Sequence, residues 1–267
     1  MMKWACRIRG FFLFIFVSVF TLISSVITLV IVAPLLPQNY CDAWIRFWAR
    51  TILRFSGTRL HVSGLENFKD VQSCILVSNH SSHFDIPILF ATLPISFRMV
   101  AKMELFHIPV FGRALRSLGF VPVLRDNSEA GLKVFKEMDQ KFTSGQSVWM
   151  APEGTRFPGM GIGPFKTGAF YVALRVGRPI VPVCIYGTHK VLGKNSLMIN
   201  GDSWTRDVHV HVLPPVSILK EDSRSRRDLS NEVRKQLVDE FSRIHRSSGD
   251  HDPLTLVEDS SVSQNLT

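Results

Sequence analysis

Hydrophobic and polar positions fall into three regimes along the chain. From Phe11 to Leu36, "FFLFIFVSVFTLISSVITLVIVAPLL", 26 consecutive residues carry no charge. As one helix they would extend roughly 39 Å, more than a bilayer's hydrocarbon core of about 30 Å. The run reads as a membrane anchor, because a cleaved signal peptide has a shorter apolar region. It is either one tilted span or a re-entrant hairpin over 11–36 that bends near Ser24–Ser25 or at Pro34. In "DAWIRFWARTILRF", Arg46, Arg50 and Arg54 recur every four residues and form one stripe of a helix over 43–55. Trp44, Ile45, Trp48, Ile52 and Phe55 cover much of the rest, which suits a helix lying among lipid headgroups. After Gly57, short apolar runs alternate with helical periodicities. Strands are predicted at "RLHVSG", "SCILVSN", "FRMVAK", "GFVPVL", "SVWMAPEG", "PIVPVCIYG" and "DVHVHVLP". Helices are predicted near 84–92, 104–117, 128–143, 166–177 and 225–246.

Several of these strands are apolar throughout, as expected when helices cover both faces of a sheet. The alternation predicts an α/β fold with a largely parallel sheet. The division that follows is an anchor over 1–56, an α/β domain over 57–246 and a disordered polar tail over 247–267.

Composition changes this picture little. Cys6, Cys41, Cys74 and Cys184 show neither metal-ligand spacing nor a disulfide framework, and Cys74 and Cys184 sit in apolar runs as core residues do. The net charge of +9 points to an anionic partner. With an apolar N-terminus, that partner is a phosphorylated substrate or a membrane surface rather than nucleic acid. Basic residues flank the apolar run on both sides, so the positive-inside rule does not orient it.

Two polar clusters end strands: "SNHSSHFD" after "CILV", and "PEGTRF" after "SVWMA". Ligands of open α/β sheets bind beyond such strand ends, so the two clusters are expected to share one site. His80 can serve as a general base, and Asp85 can hold its other ring nitrogen. Five residues apart on a regular helix they would diverge by about 140°, so His80 must lie in the turn before the helix starts. Asp85 alone reads equally as a helix cap. A metal site of His80, His83 and Asp85 has suitable ligand chemistry but no further histidines grouped to complete it. Ser81 and Ser82 lack the glycine elbow of a serine nucleophile. In the second cluster Arg156 offers a planar fork suited to phosphate, Gly154 permits close backbone approach, and Glu153 can brace the loop or orient Arg156. By itself, that tetrapeptide also fits a salt-bridged surface turn.

The pair, N-H-x-x-x-x-D followed about 70 residues later by E-G-T-R, resembles the glycerolipid acyltransferase family that includes 1-acylglycerol-3-phosphate acyltransferases. The block "AKMELFHIPVFGRALRSLGFVPVLRD", with Lys102, Glu104, Pro109, Gly112, Gly119 and Arg125, is similar to that family's middle block. "FKTGAF" and "IVPVCI" are similar to its later segments, and His83 stands where an aromatic is commoner. The resemblance, over roughly 58–215, implies the glycerol-3-phosphate acyltransferase-like fold. It also implies transfer of an acyl chain from acyl-CoA or acyl carrier protein to the sn-2 hydroxyl of 1-acylglycerol 3-phosphate. His80 is then the base and Asp85 its orienter, with no acyl-enzyme, cofactor or metal. Backbone amides near the first motif are expected to meet the oxyanion. Glu153, Gly154, Thr155 and Arg156, with Lys102 or Arg125, are expected to bind the acceptor, and Lys166 is a weaker candidate. Lysolipid and bilayer are the implied partners, with the catalytic domain on the cytoplasmic face. Three alternatives stay open: another lysolipid acceptor such as a lyso-ornithine lipid, a metal-dependent hydrolase, and a silent membrane-anchored lipid-binding protein.

Overall fold

The computed structural model describes residues 2–267 except 124–140, 143, 159, 197, 201–202, 219–222, 251–253 and 257–267. All seven predicted strands form, and they make one sheet: β1 (Thr58–Ser63), β2 (Ile75–Ser78), β3 (Phe97–Lys102), β4 (Val121–Val123), β5 (Ser147–Met150), β7 (Ile180–Tyr186) and β8 (Arg206–Val212). Their order is β1-β8-β7-β2-β5-β3-β4. A separate two-stranded pair joins β6 (Gly161–Ile162) to β9 (Thr255–Leu256). Neighbours run parallel except β7 and β8. Between these two the described residues hold only one short helical turn, Thr188–Val191, instead of a crossover helix. An antiparallel return is what such a connection allows.

Alternate residues of the central strands feed two cores. Leu76, Val181 and Val183 face one, whereas Ile75, Val77 and Val148 face the other. The first core is covered by α1 (Met2–Ile27), α2 (Gln38–Ser56), α3 (Asp85–Thr92) and α4 (Phe111–Ser117). The second is covered by α5 (Gly168–Val176) and α6 (Arg226–Ser247). Ser225 opens α6 with a capping box closed by Asp228.

Three features mark the N-terminal helices. First, α1 runs unbroken through Ser24–Ser25, continues as a π turn over Thr28–Val32 and a further turn to Leu35, and reverses only at Leu36–Pro37. The stretch Ile8–Leu35 is long and apolar enough to cross a membrane by length and composition, and is a candidate membrane segment. Second, α2 returns antiparallel along α1, with the Trp48 indole donating to Thr21 at 3.1 Å and the Trp44 indole to Thr28 at 3.0 Å. Third, α2 is only partly exposed. Ile45, Ala49, Ile52 and Leu53 enter the first core, and Arg46 leaves the arginine stripe to donate to the carbonyls of Leu93 and Ile95. Arg50 and Arg54 remain exposed.

Arg98, 1% exposed on β3, ties α2 down further. Its guanidinium pairs with Asp42 at 2.8 Å and donates to the carbonyls of Phe97 and Leu118. Arg9 at the other end of the hairpin donates to the Trp204 and Phe55 carbonyls and lies over the Trp204 ring.

The helix predicted over 104–117 is broken. A 3₁₀ turn, Met103–His107, precedes α4, and Val110 between them sits at φ 64°. Pro109 accounts for the break, since its ring lacks an N–H and excludes the preceding helical turn. The predicted 128–143 helix lies almost wholly outside the described residues. Of the tail, Asp250 accepts from Tyr186 at 2.7 Å and pairs with Lys190, and Thr255–Leu256 form β9.

Candidate active site

Strand order brings the two polar clusters together. β2 lies at the centre of the sheet with β5 on one side and β7 on the other. Ile75 pairs with Val148 and Val77 with Met150, so continuing the register past both strand ends sets His80 opposite Glu153. The His80 amide donates to Glu153 Oε1 at 2.8 Å, and the Phe157 amide donates to the His80 carbonyl at 2.7 Å. The loop carrying the second motif therefore grips both polar groups of the His80 main chain. On the other side, the Asn79 side chain donates to the Ile185 carbonyl at 2.7 Å and accepts the Ile185 amide at 2.9 Å. Ser81 Oγ meets Thr188 Oγ1 at 3.0 Å and Ser82 Oγ donates to the Leu192 carbonyl at 2.8 Å. Both serines are thus committed to holding the turn.

His80 lies in the turn before α3, as the spacing argument required, and Asp85 is that helix's first residue. His80 Nδ1 meets Asp85 Oδ2 at 2.7 Å, and the amides of Ser81 and Ser82 donate to the same oxygen, each at 2.9 Å. Asp85 is fully buried at a helix N-terminus, where the dipole favours its charge. This fixes the ring tautomer. In the neutral ring, Nδ1 carries the hydrogen toward Asp85, which leaves the lone pair on Nε2. Trp149 packs against the imidazole, ring centroids 5.8 Å apart at 86°.

Glu153, 7% exposed, accepts from His80 through one oxygen and from the Gly163 amide through the other at 3.1 Å. Burial pushes its carboxyl up to about 7, against the pull of those two amides. It braces the loop and His80 rather than pairing with Arg156. Gly154 adopts φ 69°, and a Cβ there would stand 3.1 Å from Lys166 Cε. Lys166, only weakly marked by the sequence, thus lies over the motif glycine. Thr155 is exposed. Arg156 is partly buried, and its Nη1 is buried without a hydrogen-bond partner among the described residues. His83 is held down to about 4 first by burial and then by the Arg156 and His80 charges. It is a neutral lining residue at neutral pH. Lys102, at the carboxyl end of β3, is exposed and paired with Glu104 at 2.8 Å. Arg125 lies outside the described residues. Among the described residues, no three His, Cys, Asp or Glu side chains are grouped to hold a metal.

Four of the amides near the first motif, where oxyanion donors are expected, already have partners. The amides of His80, Ser81, Ser82 and Phe84 are all spent inside the turn, on Glu153, Asp85, Asp85 and Ser82 Oγ respectively. Beside the turn opens a cavity of about 330 Å³ between the α1–α2 hairpin and the domain, with His83 and Phe84 in its wall. Its lining comes from α1, α2, α3, α4, β3 and the 192–199 segment, too scattered in sequence to be read as one pocket.

The family model described as Acyltransferase matches residues 59–186. The chain is 31% identical over 250 residues to the chloroplastic 1-acyl-sn-glycerol-3-phosphate acyltransferase of Brassica napus, covering 91% of this chain and 69% of that one. It is 30% identical over 175 residues to the 1-acyl-sn-glycerol-3-phosphate acyltransferase of Escherichia coli strain K12, covering 65% of this chain and 69% of that one. Among solved structures, the 1-acyl-sn-glycerophosphate (LPA) acyltransferase of Thermotoga maritima shares the fold, with a TM-score of 0.76 at 23% identity over 93% of this chain and all of that one.

Proposed function

The chain belongs to the acyltransferase family, and from that premise we propose that it acylates the sn-2 hydroxyl of 1-acylglycerol 3-phosphate to give phosphatidic acid. The donor is an acyl thioester, acyl-CoA or acyl carrier protein. The observation that carries this reading is the His80–Asp85 pair, gripped by the Glu153–Phe157 loop beside an apolar cavity.

In the reaction so read, His80 Nε2 takes the proton of the acceptor hydroxyl as that oxygen attacks the thioester carbonyl. Asp85 stabilises the imidazolium that forms. The tetrahedral intermediate collapses with loss of the thiolate, which takes the proton back from His80. No acyl-enzyme forms, and no cofactor or metal takes part. With four of the turn amides occupied, Arg156 and Lys166 are the cations placed among the described residues to meet the acceptor phosphate and the developing oxyanion. The unpaired buried Nη1 of Arg156 supports its role, because a buried donor without a partner is costly unless a ligand supplies one. The cavity suits an acyl chain, each methylene kept from water being worth about 0.8 kcal/mol. The exposed apolar residues of α1 and the π turn, Phe11, Phe12, Leu22 and Val30 among them, then rest in the bilayer. The domain faces the cytoplasm, where thioester donors are made.

The test is a donor-by-acceptor assay on purified protein in detergent, run beside His80→Ala. Acyl transfer to 1-acylglycerol 3-phosphate, lost in His80→Ala with the fold retained, is expected. Full transfer by His80→Ala would refute the base assignment, and preference for a phosphate-free lysolipid would refute the acceptor.

A further inference from the structure

The cavity has two unlike walls. On the domain side it is mostly hydrocarbon, with Phe90, Met99 and Phe120 deep in the core and His83 and Ser196 as its polar members. On the α1 side it is lined by hydroxyls: Ser18, Thr21, Ser24, Ser25 and Thr28. Their spacing of three to four residues sets them on one helix face. Four have partners within the protein. Ser18 donates to the Phe14 carbonyl and Ser25 to the Thr21 carbonyl, at 2.8 and 2.7 Å. Thr21 and Thr28 accept the Trp48 and Trp44 indoles.

Ser24 is the exception. It is 5% exposed, it lines the cavity, and its Oγ has no hydrogen-bond partner among the described residues. A mid-helix serine ordinarily bonds the carbonyl four residues back, as Ser18 and Ser25 do. A buried hydroxyl left unpaired is unfavourable, and a plain hydrocarbon chain in the cavity would leave it so. One turn further on, α1 changes to the π turn Thr28–Val32, a deformation that often marks functional positions in helices.

A ligand group that satisfies a serine in an apolar wall must be neutral, since a charge would not leave water for this setting. A hydroxyl suits best, because it can both accept from and donate to Oγ. We infer that the cavity selects acyl chains bearing a hydroxyl on the hydrocarbon, and that Ser24 is the residue that recognises it. This rests on the reading that the cavity holds the acyl chain.

The experiment compares acyl thioesters of one length, unsubstituted or carrying a hydroxyl at successive positions, with the wild type, Ser24→Ala, Ser24→Thr and Leu115→Trp. Leu115 also lines the cavity, and tryptophan there fills it. At one window of positions the hydroxylated-to-plain ratio of kcat/KM should be raised in the wild type. It should fall about 2- to 12-fold in Ser24→Ala, the fold-change of one net hydrogen bond, and persist in Ser24→Thr. A ratio equal in wild type and Ser24→Ala at every position overturns the inference. Leu115→Trp should shift the length preference among unsubstituted donors toward shorter chains. If it shifts while the Ser24 ratio does not, only the hydroxyl inference fails. If the length preference does not move, the cavity is not the chain site and both readings fail.

Discussion

Glu153 carries the most informative single change, Glu153→Gln. In the folded chain the carboxyl titrates near 7 instead of 4.5, chiefly because it is buried. The folded protein therefore holds this proton about 3 kcal/mol more favourably than the unfolded chain does. The sign follows directly. Below about 4.5 both states are protonated and the group leaves stability unchanged. As pH rises from 4.5 toward 7, the unfolded chain releases the proton and the folded one retains it, so stability falls, and above about 7 the loss is complete. Glutamine does not titrate, so the variant lacks this slope. It pays a separate cost of about 1–3 kcal/mol, independent of pH, because one amide partner of Glu153, His80 or Gly163, now faces a donor. Thermal unfolding in detergent from pH 5 to 8 reads both effects. At pH 5 the variant should melt below the wild type. By pH 8 the gap should narrow or reverse, moving by roughly 5–10 °C for a chain of this size. Acyl transfer should fall at least tenfold, since the main-chain grip on His80 is loosened. Parallel melting curves across the range would refute the reasoning, because they would mean that Glu153 stays ionised in the fold.

Two further predictions follow from buried charges. Asp85→Asn keeps an acceptor for the Ser81 and Ser82 amides but removes the charge facing His80. A charge-assisted bond of about 1.5–3 kcal/mol corresponds to a fall in kcat of about 10- to 150-fold, measured at saturating substrates, with the pH–rate profile displaced. Asp42→Ala strands the Arg98 cation and should destabilise the fold by about 3–5 kcal/mol, whereas Asp42→Leu combined with Arg98→Met should regain most of that loss. Denaturant titration of the three proteins checks the order.

What could be read from sequence divides along physical lines. Strands show plainly because their apolar runs answer to the local pleat, and all seven form at the quoted places. His80 and Asp85 were legible because strand end, turn and helix start are contiguous. The direction of β8 was not, since "DVHVHV" alternates the same way whichever neighbour it meets. Glu153's role was underdetermined, because the β2–β5 register decides that its oxygens meet the His80 and Gly163 amides rather than Arg156. Nothing in "FRMVAK" marks Arg98 as buried, since its partner Asp42 arrives from α2. The break at Val110 was signalled by Pro109, which the apolar periodicity around it masked. The cavity was invisible because its lining comes from separate segments scattered between Leu13 and Ile199.

That separation bears on how the protein is made. Arg9 reaches its partner at Trp204 across 195 residues, and β1 completes its pairing only when β8 arrives. At a synthesis rate of about 5–20 residues per second, the α1 surface that packs on the domain waits roughly 10–40 s for it. Throughout that interval the charge-free stretch of α1 beyond Arg9 lacks the finished sheet domain beside it. The bilayer that the finished enzyme is proposed to work on would then also be the surface that shelters its first helix until the sheet exists to receive it.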